Sequence, residues 1–377
     1  MPPKRPLPAI HFLLSFLLLS SCVPNLPSTP KPSSQPTFFL YRFEVPAFVG
    51  FSGDFQVTRE IPFSYPVNCG LYDTFPAPTG SLLAIELSCP NGQSVLFLDT
   101  STALSAGSQT AAITLPFPST DSHFLAWQSD GLAAYLKVDS LTNPRIVRVF
   151  VSGPQDALAI SEFTYDLAAK PASRDFTFTF SRGLGYGSEL WLAQHDPRNT
   201  QQLLYADPNN YISFARFSPD GGRIAFIKIP DAQTPFTVGE LWVMNLDDSK
   251  ARKLADADAG HGYAANWSPD GTRIAFVVRE NPDDENADQS SEALLSNIYI
   301  IEVDGGRLTQ ITRFENGRVE TPHWSPGGNT LAFNAVVDGR MTVFLADLES
   351  GEIEPLVAES ACCPAWMRAL ESGSLLP

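Results

Sequence analysis

The chain has 377 residues, a formal net charge of −16 and a hydrophobic fraction of 44%. The apolar fraction is sufficient for a folded core, whereas the acidic balance disfavours nucleic-acid binding, which depends on clustered Lys and Arg. The chain also has 32 prolines and 25 glycines. These numbers are high for a helical protein and favour an all-β fold in which tight turns join short strands.

Residues 1–21 have the layout of a secretory signal peptide, with Lys4 and Arg5 ahead of an apolar run that ends at Leu19. The run is about eleven residues long, which is too short to span a bilayer. The segment Leu19-Ser20-Ser21-Cys22 resembles the lipobox of bacterial lipoproteins. This resemblance implies that Cys22 is acylated and becomes the mature N-terminus. An ordinary signal peptide with an incidental cysteine is the alternative.

Residues 22–37 are rich in Pro and Ser and have little to bury, so we expect an extended spacer. The folded domain is expected over residues 38–371, with a short tail at 372–377. A doubly or triply acylated cysteine would hold the protein on its membrane. We therefore expect an envelope protein that is anchored to a membrane on the periplasmic or extracellular side, with inner and outer membrane both open.

Three near-copies of one pattern are "ISFARFSPDGGRIAFIK", "GYAANWSPDGTRIAFVV" and "VETPHWSPGGNTLAFNA". In each copy a second aromatic follows the first after nine residues. The first aromatics are Phe217, Trp267 and Trp324. The intervening turn residues are Asp220, Gly221, Asp270, Gly271 and Gly327. Because the third turn has no aspartate, this acid is not assigned a shared catalytic or metal-binding role.

Each copy predicts a hairpin followed by two further strands, which is the content of a propeller blade. Weaker copies of the aromatic position are Phe75, Trp127, Tyr165 and Trp366. We expect a single β-propeller of seven four-stranded blades in which N- and C-terminal strands share one blade, because closure of the ring removes exposed sheet edges. A six-bladed ring is the alternative.

The segments "FSPDGGRIAF" and "WSPDGTRIAF" resemble the repeat of TolB-type propellers, which are related to WD-repeat proteins. The resemblance covers roughly residues 60 to 370 and is weakest in the first three copies. It implies a periplasmic or surface binding propeller. The resemblance does not identify a ligand, since this fold hosts many functions.

Four cysteines remain besides Cys22. If the first hairpin is symmetric about Thr79, Cys69 and Cys89 face each other and can form a disulfide. Cys362 and Cys363 are then free or form a vicinal disulfide, and a bridge from Cys69 to one of them stays open. Metal binding by this pair is disfavoured because no Cys-x-x-Cys or His pair lies nearby.

The segment from Arg279 to Glu292 is an acidic insertion, for which we expect a mobile solvated loop, since its spacing does not fit a calcium loop. The histidines do not pair at ligand spacing. His261 and His323 precede inner strands, where either could face the channel, but surface or turn roles are favoured for both.

We expect a non-enzymatic binding or scaffolding propeller, with a protein, peptide or glycan partner at the propeller face and no cofactor or metal. No catalytic residue is assigned, because the recurring inner-strand residues are apolar or turn-forming. The alternative is an envelope enzyme, a glycan or peptide hydrolase or lyase, that uses acids at the channel mouth.

Overall fold

The computed structural model describes residues 37–101, 121–139, 145–150, 155–158, 163–173, 177–194, 200–230, 236–247, 250–258 and 264–367. They belong to a compact unit that runs from Gln35 to Pro377. The predicted leader, Cys22, the spacer up to Pro36, His261 and the predicted tail at 372–377 lie outside the described residues. Within the described parts, regular structure is almost entirely β, apart from a short 3₁₀ helix at Ser291–Ala293. No helix in these parts is long and apolar enough to cross a membrane.

The strands form seven sheets, which we call blades 1 to 7 in chain order of their first strands. Blade 1 has β4 (Gly70–Pro76), β5 (Leu82–Cys89) and β6 (Gly92–Asp99). Blade 2 has β7 (Asp121–Trp127), β8 (Ala133–Asp139), β9 (Arg145–Phe150) and β10 (Gln155–Ala157). Blade 3 has β11 (Thr164–Ala169), β12 (Thr177–Gly183), β13 (Ser188–Gln194) and β14 (Gln201–Asp207). Blade 4 has β15 (Asn210–Phe217), β16 (Arg223–Pro230), β17 (Val238–Asn245) and β18 (Ala251–Asp258).

The remaining blades include the two ends of the described chain. Blade 5 has β19 (Asn266–Trp267), β20 (Arg273–Arg279), β21 (Ser296–Glu302) and β22 (Leu308–Gln310). Blade 6 has β23 (Arg318–Val319), β24 (His323–Trp324), β25 (Thr330–Val337), β26 (Arg340–Asp347) and β27 (Ile353–Pro355). Blade 7 has β28 (Ala361–Trp366), β1 (Phe38–Arg42), β2 (Ala47–Phe51) and β3 (Val57–Pro62). Its strand order is β28-β1-β2-β3, so the last described strand lies beside the first.

The first strands of successive blades contact one another around a ring, from β7 through β11, β15, β19 and β24 to β28 and β4. The indole of Trp127 closes the circuit by donating to the carbonyl of Phe75 in β4. These seven strands therefore line the central channel. The prediction of an all-β, seven-bladed propeller is confirmed, and the six-bladed alternative is wrong.

The recurring aromatic connects neighbouring blades. Phe217, Trp267 and Trp324 occupy the same register, opposite Ile224, Ile274 and Leu331. The indole N–H of Trp267 donates to the carbonyl of Arg216 at 3.0 Å, and that of Trp324 donates to Asn266 at 2.9 Å. Each of the two indoles thus packs in its own blade and donates a hydrogen bond to the inner strand of the preceding blade.

Two of the weaker copies were assigned to the correct strand but the wrong register. We call the register shared by Phe217, Trp267 and Trp324 the anchor register. In blade 1 this register, opposite Leu83, is taken by Pro76 and not by Phe75, although the turn is as long as that of blade 4. In blade 3 it is taken by Ala169, opposite Phe178, and Tyr165 lies four residues earlier. In blade 1 the aromatic lies one residue ahead of the register, whereas in blade 3 the turn is longer than in the regular copies.

The glycine turns need a left-handed backbone at one position. Gly221 and Gly271 both have φ of 69°, which glycine tolerates without strain. In the third copy this position is Gly328, with φ of 72°, whereas Gly327 stands where the other copies have aspartate. The missing carboxylate is replaced by Asn329, whose side-chain oxygen accepts from Ser325 at 3.2 Å.

The turns of successive blades contact one another on one face of the ring, which we call the turn face. Arg223 stacks over the Trp267 ring at 5.2 Å and donates to the carbonyl of Gly271 at 2.7 Å. Arg273 repeats both contacts one blade later, with Trp324 at 4.8 Å and Gly328 at 3.1 Å. The inner strands end at the turn face and begin at the opposite face, which we call the mouth face.

Candidate functional site

An acid lies on the inner strand of blade 1, close to the mouth face. The pairing of β4 with β5 shifts register between Leu71 and Asp73, and Asp73 then lies opposite Glu86. Burial, together with the charges of Glu320 and Glu86, raises the pKa of Asp73 to about 7, although the Thr74 N–H donates to its carboxylate. The side chain nevertheless keeps partial contact with solvent, as expected for a group lining a channel.

Glu86 is held by blade 2. Its carboxylate is 3% exposed and accepts the backbone N–H of Phe124 at 3.1 Å. His123 lies between two acids, with Nδ1 3.3 Å from Glu86 and Nε2 3.2 Å from Asp121. The bond to Glu86 is the main cause that raises the pKa of His123, and Asp121 adds to it. An imidazolium donating to both carboxylates fits this geometry.

A chain of hydrogen bonds connects blades 6, 7 and 1 around the same acids. The Asn334 amide donates to Glu320 at 2.9 Å, and the Cys363 N–H donates to the Asn334 oxygen at 3.0 Å. The Cys363 carbonyl then accepts from the Thr74 hydroxyl at 3.1 Å. This chain fixes Glu320 relative to the strand that carries Asp73.

We call Asp73, Glu86, Asp121 and Glu320, with Tyr72 and His123, the acid cluster. Near neutral pH, Asp73 can give up or take up a proton beside the other acidic side chains of the cluster. Such a pairing of an acid with a base is what general acid–base catalysis requires. The excess of carboxylates also attracts cations. Among the described residues, no group of three His, Cys, Asp or Glu side chains is arranged to hold a metal ion.

The residues singled out in the repeat lie away from this cluster. Asp220, Gly221, Asp270, Gly271 and Gly327 are at the turn face, at the other end of the inner strands. Asp220 and Asp270 accept bonds within their own turns, which keeps the pKa of each below its ordinary value, with the serine bond as the main cause. Their roles in this geometry are those of turn residues.

The cysteines lie on blades 1 and 7. Cys69 and Cys89 form a disulfide that joins the two ends of the first hairpin at the mouth face, and Cys362 and Cys363 form a vicinal disulfide. Cys363 has φ of 63°, within the stretch where β28 shifts register against β1. The bridge from Cys69 across the blades is absent from this structure.

The acidic insertion is folded, contrary to the expected mobile loop. Arg279 is only 4% exposed and donates to the carbonyls of Asn281 and Asp284. Its guanidinium also pairs with Asp288 at 2.9 Å. The backbone of the insertion therefore wraps around a buried cation, a contact that the sequence spacing did not reveal.

Sequence reasoning missed the acid cluster, although one signal was present. Glu86 interrupts the apolar run "LLAIELSC", where a strand buried on both faces would carry only apolar side chains. His323 does lie on an inner strand, in β24, where burial lowers its pKa to about 4 and keeps it neutral. It forms no part of the acid cluster.

Comparisons with known proteins identify both a family and enzymes of related sequence. A family model described as the TolB beta propeller domain matches residues 179–368. Dipeptidyl-peptidase 5 of Porphyromonas gingivalis is 35% identical over 143 residues, which are 37% of this chain and 20% of that relative. This chain therefore spans about a fifth of the length of that curated relative.

Two solved structures share the fold. A puromycin-hydrolyzing peptidase of Mycobacterium tuberculosis has a TM-score of 0.58 at 14% identity, covering 86% of this chain and 53% of that one. An oligogalacturonate lyase in complex with manganese also has a TM-score of 0.58 at 14% identity, covering 84% of this chain and 91% of that one. At such identities the likeness shows the fold alone.

The expectation of a protein without enzymatic activity is contradicted by the sequence relative, which bears the name of an enzyme. The envelope location expected from the leader agrees with the family match, although that match does not extend to Cys22. The matched region comprises half of the chain and contains all three regular copies of the repeat. The chain thus belongs to the TolB β-propeller domain family.

Proposed function

We propose that this chain acts in peptide hydrolysis in the bacterial cell envelope, with the acid cluster as the site of proton transfer. The observation that carries this proposal is the position of Asp73 beside Glu86 and Glu320, where its pKa is raised to about 7. A carboxyl group that is half protonated at neutral pH is suited to general acid catalysis, and an adjacent carboxylate is suited to general base catalysis.

The charge of the site favours peptides over acidic glycans. The acid cluster and the net charge of −16 repel polyanions such as oligogalacturonate, the substrate named for one structural relative. They attract ammonium and guanidinium groups, which peptides carry at their N-termini and on Lys and Arg. The name of the sequence relative, a dipeptidyl-peptidase, points the same way.

The proposed step is a hydrolysis in which two acidic side chains of the cluster transfer the protons. Glu320 accepts a proton from a water molecule that attacks the peptide carbonyl carbon, and Asp73 gives its proton to the departing amine nitrogen as the C–N bond breaks. Glu320 is oriented for this by Asn334, and Glu86 and His123 hold the adjacent wall of the site. Proton transfer of this kind contributes typically about 10²–10⁴-fold in rate.

Cleavage of a peptide library by the full chain, followed by mass spectrometry, tests the proposal. Asp73→Asn should lower the rate by about 10²–10⁴-fold at neutral pH, because the amide cannot supply the proton. Asp270→Asn is the matched control, since it removes a carboxylate at the turn face and should leave the rate within about twofold. Equal losses in the two variants, or a wild-type protein that cleaves no peptide, would contradict peptide hydrolysis at this site.

The export and anchoring of the protein form a second part of the proposal. The charged start, the apolar run and the lipobox-like segment support acylation at Cys22. Radiolabelled palmitate should be incorporated by the wild-type protein in bacterial cells and not by Cys22→Ala. Equal labelling of both proteins would exclude the lipid anchor while leaving the proposed reaction untouched.

A further inference from the structure

The turn face of blades 4 and 5 carries two adjoining cavities of about 430 and 510 Å³ that share Asp304. Basic side chains dominate their lining. These are Arg223, Lys250, Arg252, Arg273 and Arg307. Only two carboxylates, Glu302 and Asp304, accompany them in the lining. We call this surface the basic groove, and its positive balance contrasts with the net charge of −16 of the whole chain.

The basic groove is partly rigid and partly open. Arg223 and Arg273 are fixed by their stacking on tryptophan rings and by the turn carbonyls. Arg252 and Arg307 are exposed, although Arg252 also donates to the carbonyl of Val303 and Arg307 pairs with Glu302. Guanidinium groups can bind phosphate through two parallel hydrogen bonds, so a row of them in a concave surface suits phosphate oxygens.

The topology places the start of the described chain on the same face. Phe38 pairs with Trp366 at the end of inner strand β28, and the Met367 N–H donates to the carbonyl of Thr37. Thr37 is fifteen residues after Cys22, so a fully extended spacer reaches at most about 50 Å. The acid cluster lies at the opposite face. The segment that follows Cys22 therefore joins the propeller at the turn face.

We propose that the basic groove binds the phosphate groups of anionic phospholipids, so that the turn face rests on the membrane and the channel mouth opens away from it. The inference rests on the proposed anchor at Cys22 and is independent of peptide cleavage. Charge complementarity selects this occupant, because anionic lipid headgroups present a dense layer of phosphates within reach of the spacer. The orientation would leave the acid cluster accessible to substrates from the aqueous side.

The experiment uses the full chain, isolated with its anchor and reconstituted into vesicles. One set contains phosphatidylcholine alone and the other a roughly 2:1 mixture with phosphatidylglycerol. Arginines are labelled with phenylglyoxal and located by mass spectrometry. Labelling of Arg252 and Arg307 should be about fivefold slower in the anionic vesicles, whereas labelling of Arg340, on the β25–β26 turn at the mouth face, should not change.

Matched variants separate the groove from a general charge effect. The partition of the protein between neutral and anionic vesicles measures its preference for anionic lipid. This preference should fall about 25-fold in the double variant Arg252→Gln/Arg307→Gln, or roughly fivefold for each lost cation. Arg340→Gln removes one charge at the mouth face and should not alter the preference for anionic vesicles. Equal effects in both variants would overturn the proposal, as would unchanged arginine labelling in anionic vesicles.

Two further outcomes identify the ligand source. Inorganic phosphate is added to the neutral vesicles at the concentration of anionic headgroup phosphate in the phosphatidylglycerol vesicles. Equal protection of Arg252 and Arg307 by phosphate alone would show a site for free anions and overturn membrane docking. Absence of the protein from phosphatidylcholine vesicles would overturn the anchor and this proposal together, whereas retention without groove protection would overturn this proposal alone.

Discussion

Blades 4 to 6 and blades 1 to 3 share one architecture but distribute their side chains differently. In blades 4 to 6 the anchor register holds Phe217, Trp267 and Trp324, and arginines connect each turn to the next. In blades 1 and 3 the same register holds Pro76 and Ala169. The repeated pattern of the regular region therefore makes contacts between blades, and the irregular region carries part of the acid cluster.

The contrast is sharpest at one position of the second strand. On this strand, three residues after the one that pairs with the anchor register, blades 4 and 5 have Ile227 and Val277, which are 1% and 3% exposed. Blade 1 has Glu86 at the same position, also 3% exposed. A buried carboxylate costs free energy unless it is bonded, and such departures from the local pattern concentrate at functional sites. Irregularity in a repeat thus marks a place where chemistry is to be sought.

The largest expected effect on stability comes from removing an anchor ring in the regular region. Trp267→Ala should lower the free energy of unfolding by about 3–5 kcal/mol, because a large ring, its bond to Arg216 and its contact with Arg223 are lost together. Urea denaturation of the full chain measures this. Trp267→Phe keeps most of the packing and should cost much less. A loss below about 1 kcal/mol in the alanine variant would mean that the anchors do not couple the blades.

The boundary between the two regions contains a buried ion pair. Lys228 in blade 4 lies 2.6 Å from Asp207 in blade 3, with side chains 11% and 8% exposed, and its ammonium is 4.4 Å from the Trp242 ring. Burial opposes ionisation of Asp207, but its bonds to Lys228, Asn209 and Asn210 outweigh burial and lower its pKa.

Asp207→Asn should cost about 3 kcal/mol, since it leaves the Lys228 charge buried without a partner. Because the folded-state pKa is depressed, the contribution of Asp207 is present above its ordinary pKa of 3.8 and is lost as the pH falls further. Adding Lys228→Met to the variant should restore part of the stability in urea denaturation. An additive loss in the double variant would rule out a coupled pair.

Asp73 supplies a pH-dependent contrast between the regions. Its pKa is raised from 3.8 to about 7 in the folded state, so the folded protein binds the proton more tightly than the unfolded chain does. Its contribution to stability is therefore greatest below the ordinary pKa and declines as the pH rises through 7. Relative to Asp73→Asn, the wild-type protein should lose about 2 kcal/mol over this interval, after allowance for partial solvent contact.

Denaturation curves across this pH range measure the effect. Asp270→Asn is again the control, because the pKa of Asp270 is lowered and its contribution should instead be lost as the pH falls below the ordinary value of 3.8. A flat difference between wild type and Asp73→Asn from acidic to neutral pH would show that Asp73 titrates normally. The proton donor assigned to the proposed reaction would then be wrong.

The sequence was sufficient to predict most of the fold. The recurrence of an aromatic before a turn, at unequal intervals along the chain, located all seven inner strands, because each blade must bury the same face against its neighbour. The position of an aromatic did not locate the register where the aromatic itself is displaced by one residue, as at Phe75, or where the turn is longer, as after Tyr165. These two strands also shift register near Tyr72 and Tyr165, which changes the face that each following side chain takes.

The acid cluster was beyond sequence reasoning for a different reason. Its members come from blades 1, 2 and 6, and Glu320 and Asp73 are brought together only when the ring closes. Local periodicity contains no information on which positions of distant blades meet in the channel. Glu86 within an apolar run was the one local sign, and it indicates a polar environment without naming its partners.

The smallest expected effect tests the arginine contacts of the regular region. Arg223→Lys keeps the charge but loses the planar stacking on Trp267 and the directed bond to Gly271, so it should cost about 1 kcal/mol. Arg273→Lys should cost a similar amount, because it makes the same two contacts one blade later. Arg340→Lys at the mouth face is the control and should be nearly neutral in urea denaturation. If all three variants behaved alike, the arginines would serve only as surface charge, and the regular blades would be coupled by their aromatic rings alone.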